Sequence, residues 1–225
     1  MRIKAIVFLL FGLLVAAPAA AQLSAAAAPP PAADPENILL LDLSSGGRVT
    51  IQLRPDVAPN HVARMKELAR KHFYDGLVFH RVIEGFMAQG GDPKGDGTGG
   101  SDLPDLKAEF NGLPHVRGAL AAARAQSPDS ANSQFYIMLA PRLTLDGQYT
   151  VFGRVVGGMN FVDAIERGEP PMEPTKILQA SVAADNVPPP ATTTAAPLPA
   201  PSALTPQPPV AKPSAPRAGE TSPPR

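Results

Sequence analysis

The sequence contains no cysteine, and its charges balance. Twenty Lys and Arg residues face twenty Asp and Glu residues, so the formal net charge is zero. The missing thiols exclude disulfides, lipid attachment through cysteine and thiol chemistry. The balanced charge gives no reason to expect nucleic acid or an acidic lipid surface as a partner. Any folded domain in this chain therefore has to be held together by the packing of its core.

The first residues have the features of an export signal. Arg2 and Lys4 precede an apolar run over residues 5–15, and Ala19 and Ala21 occupy the small-residue positions of a cleavage site. We predict a signal peptide over residues 1–21. The alternative is an uncleaved membrane anchor, but the apolar run is shorter than the ~20 residues of a spanning helix. We expect a periplasmic protein without stable membrane insertion after cleavage, and secretion beyond the periplasm stays open.

Proline-rich segments flank a single predicted domain over residues 36–185. Residues 22–35 are rich in alanine and proline and are predicted to be a spacer. Residues 186–225 contain 13 of the chain's 28 prolines and no aromatic residue. Such a composition cannot build a core, so a disordered tail is predicted there, either a passive spacer or a docking strip for a partner.

The pattern of apolar residues predicts a mainly β domain. Two apolar runs joined around Gly46 and Gly47 indicate a hairpin, and the spacing of Val62, Met65 and Leu68 indicates a helix. Further short runs, "GLVFHRVI", "GALAAARA", "SQFYIML", "YTVFGRVV" and "KILQASVA", indicate strands, and "MNFVDAIER" suits a second helix. Many strands with two helices favour a closed antiparallel barrel with a helix over each open end.

The glycine-rich stretch "GGDPKGDGTGG" invites two sharper interpretations. A phosphate-binding loop needs Gly-Lys-Ser/Thr leading into a helix, which is absent. A calcium loop is also disfavoured, because Lys94 and Leu103 stand where oxygen ligands belong. The four histidines show no ligand-like spacing. We predict a tight surface loop, no metal site and no cofactor.

Three longer segments carry a resemblance to a known family. "YDGLVFHRVIEGFMAQGGDPKGDGTGG", "SANSQFYIMLA" and "LDGQYTVFGRVVGGMNFVDAIE" resemble the cyclophilin-type peptidyl-prolyl cis/trans isomerases, and the resemblance extends over residues 38–182. It implies a closed eight-stranded antiparallel β-barrel capped by two α-helices. It also implies an enzyme that isomerises X-Pro bonds of proline-containing polypeptides, and we expect it to be a monomer.

The resemblance implies a site residue by residue. Arg81 of "FHRVI" takes the position of the catalytic arginine. The substrate-binding positions that it implies are Phe86, Met87, Gln89, Gly97, Ala123, Arg124, Ala125, Gln134, Tyr136, Leu145 and Tyr149.

The sequence departs from the family pattern at two of these positions and at one position next to them. Tyr136 stands where many members have phenylalanine, and Tyr149 replaces a histidine common in eukaryotic members. Thr144 occupies the position before Leu-Asp-Gly at which many members carry tryptophan. Three functions stay open at this point: an isomerase that assists the folding of exported proteins, a non-catalytic module that binds proline-containing segments, and a surface protein whose tail does the work.

Overall fold

The computed structural model of the protein describes residues 34–191. The predicted signal peptide, nearly all of the spacer and most of the tail lie outside these residues. Asp34 and Pro35, which the prediction assigned to the spacer, start a short 3-10 helix over Pro35–Asn37, and the Asp34 carboxylate accepts the backbone N–H of Glu36 at 3.0 Å. Within this part of the chain, no helix is long and apolar enough to cross a membrane.

Eight strands and two α-helices make up the domain. The strands are β1 (Ile38–Leu43), β2 (Gly47–Leu53), β3 (Arg81–Ile83), β4 (Met87–Gly90), β5 (Ala119–Ala122), β6 (Phe135–Met138), β7 (Val151–Gly157) and β8 (Ile177–Val182). The helices are α1 (Pro59–Arg70) and α2 (Met159–Asp163). The predicted mainly β fold, with eight strands and two helices, is confirmed.

All strands belong to one antiparallel, strongly curled sheet. Their order is β3-β4-β6-β5-β7-β2-β1-β8. The segments just before the two end strands meet, because Val78 forms an antiparallel bridge with Lys176 and the Phe79 N–H donates to the Thr175 carbonyl at 2.9 Å. The sheet is thus curled into a half-barrel whose two ends are linked by an isolated bridge, with no continuous ladder between β3 and β8 in residues 34–191.

Helix α1 illustrates how the apolar spacing positions a helix. Pro59 lies in its first turn, where a missing N–H costs no intrahelical hydrogen bond. Val62, Met65 and Leu68 are at most 3% exposed and pack into the main core. Burying each of these side chains contributes roughly 1.5–3 kcal/mol relative to leaving it in water. The helix is therefore held by the packing of one face.

Strands β4 and β6 are covered on both faces. Ala88 and Ile137 belong to the main core cluster, inside the curled sheet. Met87, Tyr136 and Met138 belong to a second, smaller cluster. Since successive residues of a strand point to opposite faces, this second cluster lies on the outer face of the sheet. The candidate site is built on it.

Candidate active site

The strand register brings three predicted site residues into one row. Arg81 on β3 pairs with Gln89 on β4, and Gln89 pairs with Tyr136 on β6. Ala121 on β5 continues the row beyond Tyr136. Residues that pair directly across strands project from the same face. A cation, an amide and an aromatic ring therefore stand side by side on the outer face.

A small pocket of about 140 Å³ lies at this row. Its nine lining residues are all among those predicted: Arg81, Phe86, Met87, Gln89, Ala123, Arg124, Tyr136, Leu145 and Tyr149. Phe86, Leu145 and Tyr149 are half-buried and pack against the second cluster. Their carbon surfaces give the pocket an apolar wall, and the Arg81 guanidinium supplies a charge beside it.

A large pocket of about 430 Å³ adjoins the small one and shares Gln89, Ala123 and Arg124 with it. The three remaining predicted positions line this large pocket: Gly97, Ala125 and Gln134. The fold thus gathers all twelve predicted residues around two neighbouring pockets. The large pocket is bordered mainly by loop residues with backbone and amide groups, which suits an extended polypeptide.

Two glutamines connect the two pockets. Gln89 Nε2 donates to Gln134 Oε1 at 2.9 Å. Gln134 Nε2 in turn donates to the carbonyl oxygens of Gly97 at 3.0 Å and Gly99 at 2.8 Å. Within residues 34–191, the side-chain oxygen of Gln89 accepts no hydrogen bond, so it remains available to a backbone N–H of a bound peptide.

The glycine-rich loop is organised by Asp92, whose side chain is buried. Its carboxylate accepts the backbone N–H groups of Lys94, Asp96 and Gly97 at 2.8, 3.1 and 2.6 Å. Burial opposes the ionisation of Asp92, but these hydrogen bonds and one from Gly99 outweigh it and lower its pKa. In the part of the chain that the structure describes, no cluster of three or more His, Asp or Glu side chains is arranged to hold a metal ion.

Gly91, at the start of this loop, has to be glycine. Its φ is +84°, and a Cβ atom there would lie 2.5 Å from the carbonyl oxygen of Ser133. Ser133 itself is buried and donates its hydroxyl to the Gly91 carbonyl at 2.7 Å. This close approach brings the loop against the segment that carries Gln134, just before β6.

His115 is a site component that the sequence interpretation missed. It is fully buried, with Nε2 3.0 Å from the Tyr136 hydroxyl and Nδ1 2.8 Å from Asp146 Oδ1. A carboxylate only accepts, so Nδ1 donates to Asp146, and in the neutral imidazole Nε2 accepts the Tyr136 O–H. Burial raises the pKa of Tyr136, which keeps its hydroxyl a neutral donor. Asp146 directly follows Leu145 in the sequence. The hydrogen bonds through His115 therefore connect two lining elements of the small pocket, Tyr136 and the segment that carries Leu145.

Three further contacts escaped the sequence interpretation. Glu169 accepts a hydrogen bond from Arg81 Nε at 2.7 Å. The guanidinium of Arg142 lies 5.1 Å from the centre of the Phe86 ring, and that of Arg124 lies 4.6 Å from the Tyr149 ring. Among the missed contacts, only that of His115 had a signal in the sequence. A tyrosine in place of phenylalanine at position 136 needs a hydrogen-bond partner for its hydroxyl when it is buried.

Comparison with known proteins shows to which family the chain belongs. Residues 39–182, well over half of the chain, match the family described as "Cyclophilin type peptidyl-prolyl cis-trans isomerase/CLD". The chain is a member of the cyclophilin family. It is therefore a peptidyl-prolyl cis/trans isomerase, and its substrates are proline-containing peptides.

Two bacterial isomerases are similar to this cyclophilin. A probable peptidyl-prolyl cis-trans isomerase of Brucella suis is 50% identical over 168 residues, which cover 68% of this chain and 85% of the relative. The peptidyl-prolyl cis-trans isomerase B of Bacillus subtilis is 44% identical over 129 residues, covering 56% of this chain and 89% of the relative.

Crystal structures of other cyclophilins share the fold. The cyclophilin AquaCyp293 from Hirschia baltica has a TM-score of 0.64 and 29% identity, covering 69% of this chain and 77% of that one. A Cryptosporidium parvum cyclophilin, crystallised in the presence of the dipeptide Ala-Pro, has a TM-score of 0.61 and 25% identity, covering 64% of this chain and 98% of that one.

Proposed function

We propose that this cyclophilin isomerises X-Pro bonds during the folding of exported proteins, and that Arg81 is its catalytic residue. The observation that carries this proposal is the position of Arg81 at the edge of the small pocket. Its Nε is engaged by Glu169, while neither Nη group donates a hydrogen bond to any of residues 34–191. The two Nη groups therefore have no protein partner within these residues, beside a pocket of the size of a small ring.

The reaction needs no covalent step and no proton transfer. Rotation about the X-Pro bond is opposed by ~18–20 kcal/mol, because amide resonance shares the nitrogen lone pair with the carbonyl. In the twisted state that lone pair is localised on the prolyl nitrogen. A guanidinium that donates toward this nitrogen stabilises the twisted state more than the planar one, which lowers the barrier. Arginine suits this role because it stays charged and holds its donors in one plane.

The other lining residues position the substrate. Phe86, Met87 and Leu145 offer an apolar surface for the pyrrolidine ring, and Met87 supplies an adaptable wall. Gln89 offers an acceptor to the peptide backbone. The crystallisation of a related cyclophilin with Ala-Pro, a dipeptide that contains an X-Pro bond, supports this assignment of the ligand.

The required rate enhancement is modest. Spontaneous X-Pro exchange takes ~10–100 s, so exchange within milliseconds is an acceleration of about 10⁴–10⁵, or roughly 5.5–7 kcal/mol of barrier. One charge-assisted contact together with orientation of the peptide supplies an effect of this size. A prolyl-isomerisation assay on a proline-containing tetrapeptide, run on the wild type and on Arg81→Ala, tests the proposal.

The exported protein is expected to begin at Gln22, because Ala19 and Ala21 precede it at the small-residue positions of a signal-peptidase site. The intact mass of protein from the periplasmic fraction of a Gram-negative host measures this. Ala21→Leu is the matched control and should slow cleavage. A wild-type species that retains Met1 and fractionates with membranes would instead indicate an anchored protein.

Removal of every residue after Asp185 is expected to leave isomerase activity on short peptides within about twofold. The deleted segment has no aromatic residue with which to pack against the domain. The truncation keeps Asp185, whose carboxylate pairs with Arg70 at 2.9 Å, so the end of the domain stays anchored to α1. Activity and thermal midpoint of residues 22–185 are compared with those of residues 22–225. A large loss of either would show that the tail contributes to the folded enzyme.

A further inference from the structure

Arg81 is held by a carboxylate that lies outside the predicted site. Its Nε donates to Glu169 Oε2 at 2.7 Å, and the two side chains are 43% and 51% exposed. The two residues lie 88 positions apart in the sequence. Glu169 lines neither pocket. Glu169 therefore contacts the guanidinium without taking part in the lining of the substrate groove.

The backbone fixes the position of Glu169. Gly168 and Val82 exchange both backbone hydrogen bonds, at 2.8 and 2.9 Å, as an antiparallel bridge. In such a bridge the residue before one partner lies opposite the residue after the other, which sets Arg81 beside Glu169. Gly168 has a φ of +147°, and a Cβ atom there would lie 2.5 Å from Pro171 Cα. The tight turn thus requires glycine and fixes the backbone position from which the Glu169 side chain extends.

A second ion pair anchors the same segment. Arg167 Nε donates to Glu84 Oε2 at 2.6 Å, on the other side of the Gly168 bridge. Glu84 is 77% exposed and lines neither pocket. The segment therefore carries two pairs of the same chemistry, of which only one touches the proposed catalytic arginine. This symmetry provides a matched control within a few residues.

We propose that Glu169 is a positioning residue for the isomerisation reaction, an inference that rests on the proposed role of Arg81. The guanidinium is planar, so a hydrogen bond to Nε fixes the rotation of the whole group. With Nε held by Glu169, the guanidinium keeps one orientation, and its Nη groups, which have no protein partner within residues 34–191, stay available beside the small pocket. Without the carboxylate, the long arginine side chain would sample several rotamers, and only some would place a donor at the prolyl nitrogen.

The carboxylate also has an opposing effect, because its negative charge offsets part of the positive charge of Arg81. Both groups are about half-exposed, so water and salt screen this charge effect strongly. The geometric constraint is not screened in the same way. Orientation therefore dominates, and removal of the carboxylate slows the reaction rather than accelerating it.

The test measures kcat and KM separately on a proline-containing tetrapeptide. Glu169→Ala is expected to lower kcat about three- to tenfold and to leave KM within about twofold, because the pocket that binds the proline ring is untouched. Glu169→Gln keeps an acceptor for Nε and should recover most of the lost kcat. Glu84→Ala, which breaks the neighbouring pair, should change kcat by less than about 1.5-fold. Thermal midpoints of the two alanine variants should shift by similar small amounts.

A double-mutant cycle with Arg81→Ala separates this inference from the proposed function. If Glu169 acts through Arg81, Glu169→Ala has no effect on kcat once Arg81 is absent. An unchanged or increased kcat in Glu169→Ala, an equal loss in Glu84→Ala, or additive losses in the double variant would each overturn the positioning role. If Arg81→Ala alone has no effect, the proposed catalytic role of Arg81 fails instead.

Discussion

Replacing Arg81 by alanine is expected to lower kcat/KM more than tenfold while leaving the thermal midpoint nearly unchanged. The arginine side chain is 43% exposed and its one protein hydrogen bond within residues 34–191 goes to the half-exposed Glu169, so it contributes little to folding. Its expected contribution to the twisted state is much larger, since it is a cation at the small pocket whose Nη groups have no protein partner within residues 34–191. Isomerisation kinetics and thermal unfolding measure the two effects independently.

Two further variants sharpen this experiment. Arg54→Ala is a matched control, because Arg54 is 40% exposed and pairs with the exposed Asp56, away from both site pockets; both activity and stability should stay close to wild type. Arg81→Lys keeps the charge but loses the planar donor set, and should fall between alanine and wild type. Equal activity in wild type and Arg81→Ala would mean that binding in the groove, without the arginine, accounts for the catalysis.

Local sequence patterns correctly predicted those elements whose structure depends mainly on the residues of one continuous segment. The hairpin of β1 and β2 follows from two apolar runs around a glycine pair, and the observed register joins Leu43 to Gly47 across the turn. Helix α1 follows from one apolar face and covers Pro59–Arg70, close to the predicted segment. In both elements the spacing of the apolar residues along the sequence matches the structural repeat that places them on one face.

Strand β4 shows where local patterns fail. It has four residues, Met87–Gly90, and among them are a glutamine and a glycine, so no apolar run marks it. Strand β6 has all four residues buried, because one face joins the main core and the other joins the second cluster. A strand that is buried on both faces shows no alternation of apolar and polar residues that would distinguish one face from the other. Periodicity therefore could not reveal that the site lies on the outer face.

In the candidate site, too, some residues could be identified from the sequence and others could not. Its lining residues were identified from the resemblance, whose motifs keep those residues in fixed order, and the fold gathers them around two pockets. The residues that hold them were not identified. Glu169 and His115 reach Arg81 and Tyr136 across 88 and 21 positions, through contacts that only strand pairing and packing create. No local pattern encodes such distances.

Thr144 gives the basis for the second large effect. It lies in the 3-10 turn Leu143–Leu145, is exposed, and lines neither pocket, whereas the adjacent Leu145 lines the small one. In the cyclosporin-sensitive members that this chain resembles, a tryptophan at this position offers an aromatic face and an indole N–H to the cyclic peptide. Threonine offers a methyl group and a hydroxyl. One wall of the groove is therefore thinner here.

The wild-type enzyme is accordingly expected to be active but poorly inhibited by cyclosporin, and Thr144→Trp is expected to strengthen inhibition about a hundredfold or more. Less buried apolar area, at ~25 cal/mol per Å², and the loss of a hydrogen bond of about 0.5–1.5 kcal/mol together amount to a few kcal/mol. Catalysis should stay within about twofold, because Thr144 lies outside the small pocket that contains Arg81, Phe86 and Gln89.

The test compares the cyclosporin inhibition constants of the wild type, Thr144→Leu and Thr144→Trp, which differ in apolar area and in the N–H donor at position 144. Thr144→Leu restores apolar area without an N–H donor, so its gain should be smaller than that of Thr144→Trp, and the difference between the two variants reflects the hydrogen bond together with the remaining aromatic area. The turn tolerates a large side chain because position 144 is exposed and its own carbonyl, rather than its side chain, accepts the hydrogen bond from Gln148 Nε2 at 2.8 Å. Nanomolar inhibition of the wild type, or no gain from tryptophan, would mean that position 144 does not form a wall of the groove.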